Sequence, residues 1–233
     1  MMDEREMQYA FQRVGARFGF HHVQASYYPF KEFKTTWKRI GTTVSFKVTD
    51  YIQGAAEEVI NDFAFCLFER MQRRRRELYT ARVSEYLCSD AFLRSNREKY
   101  LKRSRNLTLD AKGKEYDLSS LLTSLQDRGL VGDCHGAFLT WTEKPNRFRL
   151  GYCSLIMRVV AISSALDSSQ VPGYVAEYVL YHEMLHLLTR SDPLRSYHDA
   201  EFRRLERKYP RWREAENWLR LLSSSHLAGE GSA

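Results

Sequence analysis

Cysteine is scarce in this chain of 233 residues: Cys66, Cys88, Cys134 and Cys153 stand far apart and form no CxxC pair. Neither a disulfide framework nor a zinc ribbon is suggested, and a reducing, cytoplasmic setting is expected. Long apolar runs are missing as well. The most apolar stretch, "VPGYVAEYVLYHEMLHLL", is interrupted by Glu and His, and the opening "MMDEREMQYA" is charged where a signal peptide carries an apolar segment. Neither a membrane span nor a secretion signal is expected. No repeat or low-complexity tract is present, and only the final "SSSHLAGEGSA" has the composition of a disordered tail.

The apolar fraction of 43%, with 13% aromatics, is enough to fill one sizeable core or two small ones. Charge is unevenly spread. Residues 70–105 hold twelve Lys and Arg against four Asp and Glu, a larger excess than the formal +7 of the whole chain. This segment contains "RRRR" (Arg73, Arg74, Arg75, Arg76) and "REKYLKRSR", which begins on Arg97 and ends on Arg105. Both runs are candidates for sequence-independent contact with DNA phosphates, set against the plainer reading of a solvated helix face.

Hydrophobic spacing predicts a helix over residues 3–18, a hairpin in "KTTWKRIGTTVSFKV" around Gly41, and a helix in "AAEEVINDFAFCLFERM". The basic segment continues mainly as helix, and "DLSSLLTSLQDRGL" adds another. The period then changes. Two strand-like runs flank Lys144, Pro145 and Asn146 as a hairpin, "MRVVAISSAL" supplies a further strand, and a helix follows from Pro172 and Gly173 to Ser191, Asp192 and Pro193. Helices over 198–210 and 212–222 complete the chain. The expected fold is α+β: an α/β scaffold over 1–130, a core over 131–222 with a small sheet on the histidine-bearing helix, and a flexible tail over 223–233.

"HEMLH" places His182 and His186 four residues apart, hence about 40° apart around a helix and one turn apart along it. Both imidazoles can reach one ion. Glu183 stands roughly 100° from His182, near enough to approach a metal-held water without being a ligand. The surrounding Val175, Val179, Leu180, Tyr181, Met184, Leu185, Leu187 and Leu188 make the helix apolar nearly all round, so it is expected to be buried. Two histidines and a glutamate inside such a helix are costly unless something satisfies them, and a divalent cation does. Zn²⁺ suits neutral imidazoles, and a catalytic site takes three protein ligands. For the third, "YHDAEF" offers His198 and Glu201, three residues apart on one helix face; histidine is preferred, with Glu201 as an acceptor for a ligand imidazole. His21, His22 and His135 have no partner at ligand spacing, and His226 falls in the tail. Tyr152, Tyr181, Tyr197 and Tyr209 are packing residues on this reading, though any could supply an oxyanion-stabilising hydroxyl.

These residues resemble the SprT-like and YgjP-like zinc metallopeptidases, relatives of the minimal gluzincins. The resemblance covers about 138–219 and rests on "RFRLGYCS", "RVVAISSAL", "VPGYVAEYVLYHEMLHLL", "YHDAEFRRLERKYP" and "AENWL". It implies a zincin-like core with His182, His186 and His198 as zinc ligands and Glu183 as the catalytic glutamate. It also implies that the strand over 158–163 forms the cleft edge on which an extended peptide pairs. Two departures stand out: the gap from His186 to His198 is longer than is usual for the YgjP-like group, and the paired cysteines of many SprT-like members are absent. The expected function is a zinc endopeptidase in which Glu183 takes a proton from an activated water, acting on protein or peptide, with DNA as a candidate partner. The competing readings are a basic nucleic-acid-binding protein with a structural metal, and a zinc hydrolase of non-peptide substrates.

Overall fold

Asp3 and Glu6 cap the first helix reciprocally: the Asp3 carboxylate accepts the Glu6 N–H and the Glu6 carboxylate accepts the Asp3 N–H, both at 2.8 Å. In this computed structural model, which describes residues 3–72, 79–134, 136–188 and 198–224, the chain divides into two compact units, Met1–Arg103 and Ser104–Ala233. The first opens with α1 (Glu4–Ala16) and the strands β1 (His22–Tyr28), β2 (Thr36–Ile40) and β3 (Thr43–Thr49). The β2–β3 hairpin turns at Gly41, whose φ of 57° favours glycine, as expected. β1, which periodicity does not reveal, pairs in parallel with β3, giving the order β1-β3-β2. Val23, Ala25, Val44, Phe46 and Val48 are buried, and the Phe46 ring meets those of Phe11 in α1 and Phe68 in α2 (Glu57–Met71), each with centroids 5.2 Å apart. α3 (Ala81–Cys88) and α4 (Asp90–Arg103) follow.

The described part of the basic segment is largely committed within this unit. Arg103 binds the Asp50 carboxylate through both terminal nitrogens, at 2.7 and 2.5 Å, and also donates to the Phe30 carbonyl. Lys99 lies 3.9 Å from the same Asp50, and Lys102 pairs with Glu98 one turn away. Arg103 thereby ties the end of α4 to Asp50, whereas Lys102 and Glu98 stay largely exposed. Arg73, Arg74, Arg75 and Arg76 lie outside the described residues.

The second unit contains α5 (Leu118–Asp127), β4 (Phe138–Trp141), β5 (Gly151–Ser154), β6 (Val159–Ile162), α6 (Gly173–Leu188), α7 (Ala200–Glu206) and α8 (Trp212–Ser224). The architecture is mixed α+β with small sheets. α5 belongs here and not to the amino-terminal scaffold that the sequence suggests: Leu118 and Leu125 share one core with Val175, Leu180 and Met184 of α6. The strand order also departs from expectation. β4 and β5 do not form a hairpin; β6 runs between them, parallel to β4 and antiparallel to β5. All four β6 residues are buried, and an unbroken apolar strand belongs at the centre of a sheet. The sheet edge beside α6 is therefore β5, and the strand over 158–163 offers no free edge. The tail from 225 and the loop expected to end α6 are outside the described residues. Among the described residues, no helix is long and apolar enough to cross a membrane.

Candidate metal centre

α6 is buried on nearly every side from Val175 to His186, as a helix apolar all round must be. Polar tethers hold it. Glu177 pairs with Arg128 at 2.5 Å and accepts the Tyr209 hydroxyl at 2.5 Å, while the Tyr181 hydroxyl donates to the Leu205 carbonyl of α7 at 2.6 Å. The last of these sets α7 against the carboxyl-terminal half of α6, where the histidines lie.

The three imidazoles form a nearly regular triangle, with ring centroids 5.2 Å apart for His182 and His186, 4.9 Å for His182 and His198, and 5.0 Å for His186 and His198. One donor atom from each lies within 4.8 Å of the other two. His186 Nε2 and His198 Nε2 face each other at 3.1 Å. Two neutral acceptor nitrogens repel at that distance unless a proton or a shared cation lies between them. Burial, and then the charge of His182, hold His198 below the ordinary histidine range, which favours the neutral form that ligates metals. The donor set fits a metal ion that prefers nitrogen.

Phe202, absent from the sequence-based candidates, is fully buried under this triangle, its ring 5.1, 4.6 and 4.7 Å from the rings of His182, His186 and His198. Asp199 caps α7 by accepting the Phe202 N–H at 2.8 Å, so His198 stands ahead of the helix and not on it. The expected i, i+3 relation between His198 and Glu201 therefore does not arise. Glu201 points outward, with 69% of its side chain exposed, 3.6 Å from Arg204. The carboxylate that meets one of the three imidazoles is Glu206, whose Oε1 lies 2.6 Å from His182 Nδ1, so that Nε2 is the ring nitrogen left for a metal. Burial opposes the Glu206 charge, but the hydrogen bonds and charges around it, His182 foremost, prevail and hold its carboxyl below the usual range. No local spacing marks this pair, because its members are 24 residues apart on different helices.

Glu183 is only 7% exposed, and burial pushes its carboxyl up to about 7, against the pull of His182 and Arg149. It lies against β5. A Cβ built on Gly151 would stand 2.7 Å from Glu183 Oε1 and 3.0 Å from Val179 Cγ1, so only glycine lets the strand backbone approach the carboxylate. Gly151→Ala is accordingly expected to displace Glu183, lowering any turnover that uses this carboxylate by at least about tenfold while the metal content stays constant. Equal kcat and metal content in variant and parent would remove this role.

His182, Glu183, His186 and His198 line one cleft of about 540 Å³, walled by β5 and by Phe148 and Arg149 ahead of it. Of the four tyrosines considered, Tyr152 alone is among its lining residues. The Tyr181 and Tyr209 hydroxyls are spent on Leu205, Tyr174 and Glu177, and Tyr197 lies outside the described residues. His21 and His22 belong to the first unit, and His135 and His226 are not described.

A helix bearing two histidines one turn apart, a third histidine before the next helix and an edge strand alongside thus make a cleft in which a metal ion could be held beside a buried carboxylate. Residues 144–221, about a third of the chain, match the family model described as YgjP-like, metallopeptidase domain. That stretch spans β5 through most of α8 and includes all four candidate residues. The match suggests a metallopeptidase, and hence a metal ion and protein substrates. No curated protein and no solved structure gives a match.

Proposed function

We propose that this protein is a zinc-dependent peptidase with His182, His186 and His198 as metal ligands and Glu183 as general base. The observation that carries the reading is the convergence of three imidazoles, two with nitrogens 3.1 Å apart, beside a buried carboxylate in an open cleft. Zinc, when bound, supplies Lewis acidity that lowers the pKa of water and polarises a carbonyl. The chain's own groups do the rest. Glu206 fixes the His182 ring through Nδ1, and Phe202 keeps the three rings in register. Glu183, held near neutrality by its buried place, accepts a proton from water and can return it to the departing amine.

β5 gives the site its peptide character. Among the described residues it is an end strand of its sheet, beside β6, and an extended chain adding alongside it would run across the cleft above Glu183. Three nitrogen ligands with a separate carboxylate favour catalysis over a structural metal, which would be enclosed by a fourth protein ligand. The test uses unfolded casein as probe. Cleavage by the purified protein is expected to stop on chelation and to return with one equivalent of Zn²⁺. A zinc-loaded, folded protein that leaves casein and a mixed peptide library intact would overturn the peptidase reading.

A further inference from the structure

We propose that Arg149 is a specificity-determining residue that binds a carboxylate of the substrate, so that the cleft selects acidic peptides or a free chain end. This rests on the peptidase reading and names its substrate class. The segment "NRFRLG" (146–151) is anchored ahead of β5. Asn146 Oδ1 accepts the N–H groups of Phe148 and Arg149, both at 2.9 Å, as an Asx turn does. Asn146 is fixed in turn to the end of β6: its N–H donates to Ser163 Oγ at 2.8 Å, and that hydroxyl donates to the Asn146 carbonyl at 2.7 Å. The Ser163 N–H reaches the Leu150 carbonyl at 2.8 Å, and Ser163 itself is buried. The backbone that carries Arg149 to the cleft wall is therefore held at both ends.

The side chain is ordered too. The Arg149 guanidinium carbon sits 4.8 Å from the centroid of the Tyr152 ring, a second residue of the cleft wall. Arg128, Arg204 and Arg211 of the same unit each pair with a carboxylate. Among the described residues, Arg149 pairs with no carboxylate and is the only Lys or Arg lining the cleft, and Glu183, their single lining carboxylate, lies buried against β5. A guanidinium stacked on a ring keeps its edge donors in a flat fork matching the two oxygens of a carboxylate. Phe148, 82% exposed beside it, adds an apolar contact for the same substrate segment.

The carboxylate can come from an Asp or Glu side chain or from the substrate's carboxyl terminus. The probes are fluorescent octapeptides of neutral residues, amidated at the end: one parent, a set with Glu replacing Gln at each position in turn, and the parent with a free carboxyl terminus. Binding is read by anisotropy on Glu183→Gln protein, so that turnover does not interfere. At least one carboxylate-bearing peptide should bind about 3- to 10-fold tighter than the parent, the range of a partly exposed charge-assisted pair. The advantage should shrink with salt and vanish when Arg149→Gln is added. Preference for an internal Glu assigns a side-chain subsite, and preference for the free terminus a chain-end subsite. Equal binding of all peptides, or a preference that survives Arg149→Gln, overturns the proposal. Cleavage of the same peptides by the wild-type protein tests the peptidase reading separately: no cleavage with an intact carboxylate preference sinks that reading alone.

Discussion

Glu183→Gln should leave the protein folded and zinc-loaded but lower kcat/KM on peptides by about 10²- to 10⁴-fold, the range for removing a positioned general base. The amide keeps the size of the side chain in its place against Gly151 and Val179, where a larger group would not fit. It lacks the proton affinity that burial gives the carboxyl, which is pushed up to about 7. Metal content measured beside peptide cleavage separates the two roles. Loss of zinc would make Glu183 a ligand or a support for one, and full activity would place the base elsewhere.

A zinc titration of three single variants has the second large expected effect. His198→Ala removes one of three nitrogen donors and should weaken zinc by more than about 100-fold. Glu206→Ala should weaken it only about 10- to 100-fold, as is usual when the carboxylate behind a ligand imidazole is lost. Glu201→Ala should do nothing, because that side chain faces solvent beside Arg204. A larger loss for Glu201→Ala than for His198→Ala would replace the histidine triad by two histidines and a glutamate. Circular dichroism of each variant guards against a trivial folding loss, above all for Glu206, which lies at the end of a seven-residue helix.

Local patterns carried much of this protein into view. Helical spacing marks α1, α2, α5 and α6, because the hydrogen bonds of a helix join residues four apart and its buried face recurs within the same stretch. The β2–β3 hairpin is equally local, since its turn lies at a glycine with positive φ. HEMLH belongs to this class: once the run is a helix, its two imidazoles must face the same way. Nothing local to Gly151 says which side chain packs against its bare backbone.

The sequence by itself thus determined the α6 helix and the facing of His182 and His186. Tertiary structure alone decided which groups meet them. Glu201 and Glu206 are five residues apart, roughly 140° around a helix, so the direction in which α7 docks decides which one reaches His182. That direction follows from Phe202 burying itself under the histidines and from Tyr181 bonding to Leu205, contacts between separate helices. The order β4-β6-β5 was hidden for the same reason: any strand can pair with any other, and burial of β6 on both faces, a property of the assembled core, put it in the middle. β5 was left at the edge, with Gly151 against Glu183 and Arg149 on the cleft wall.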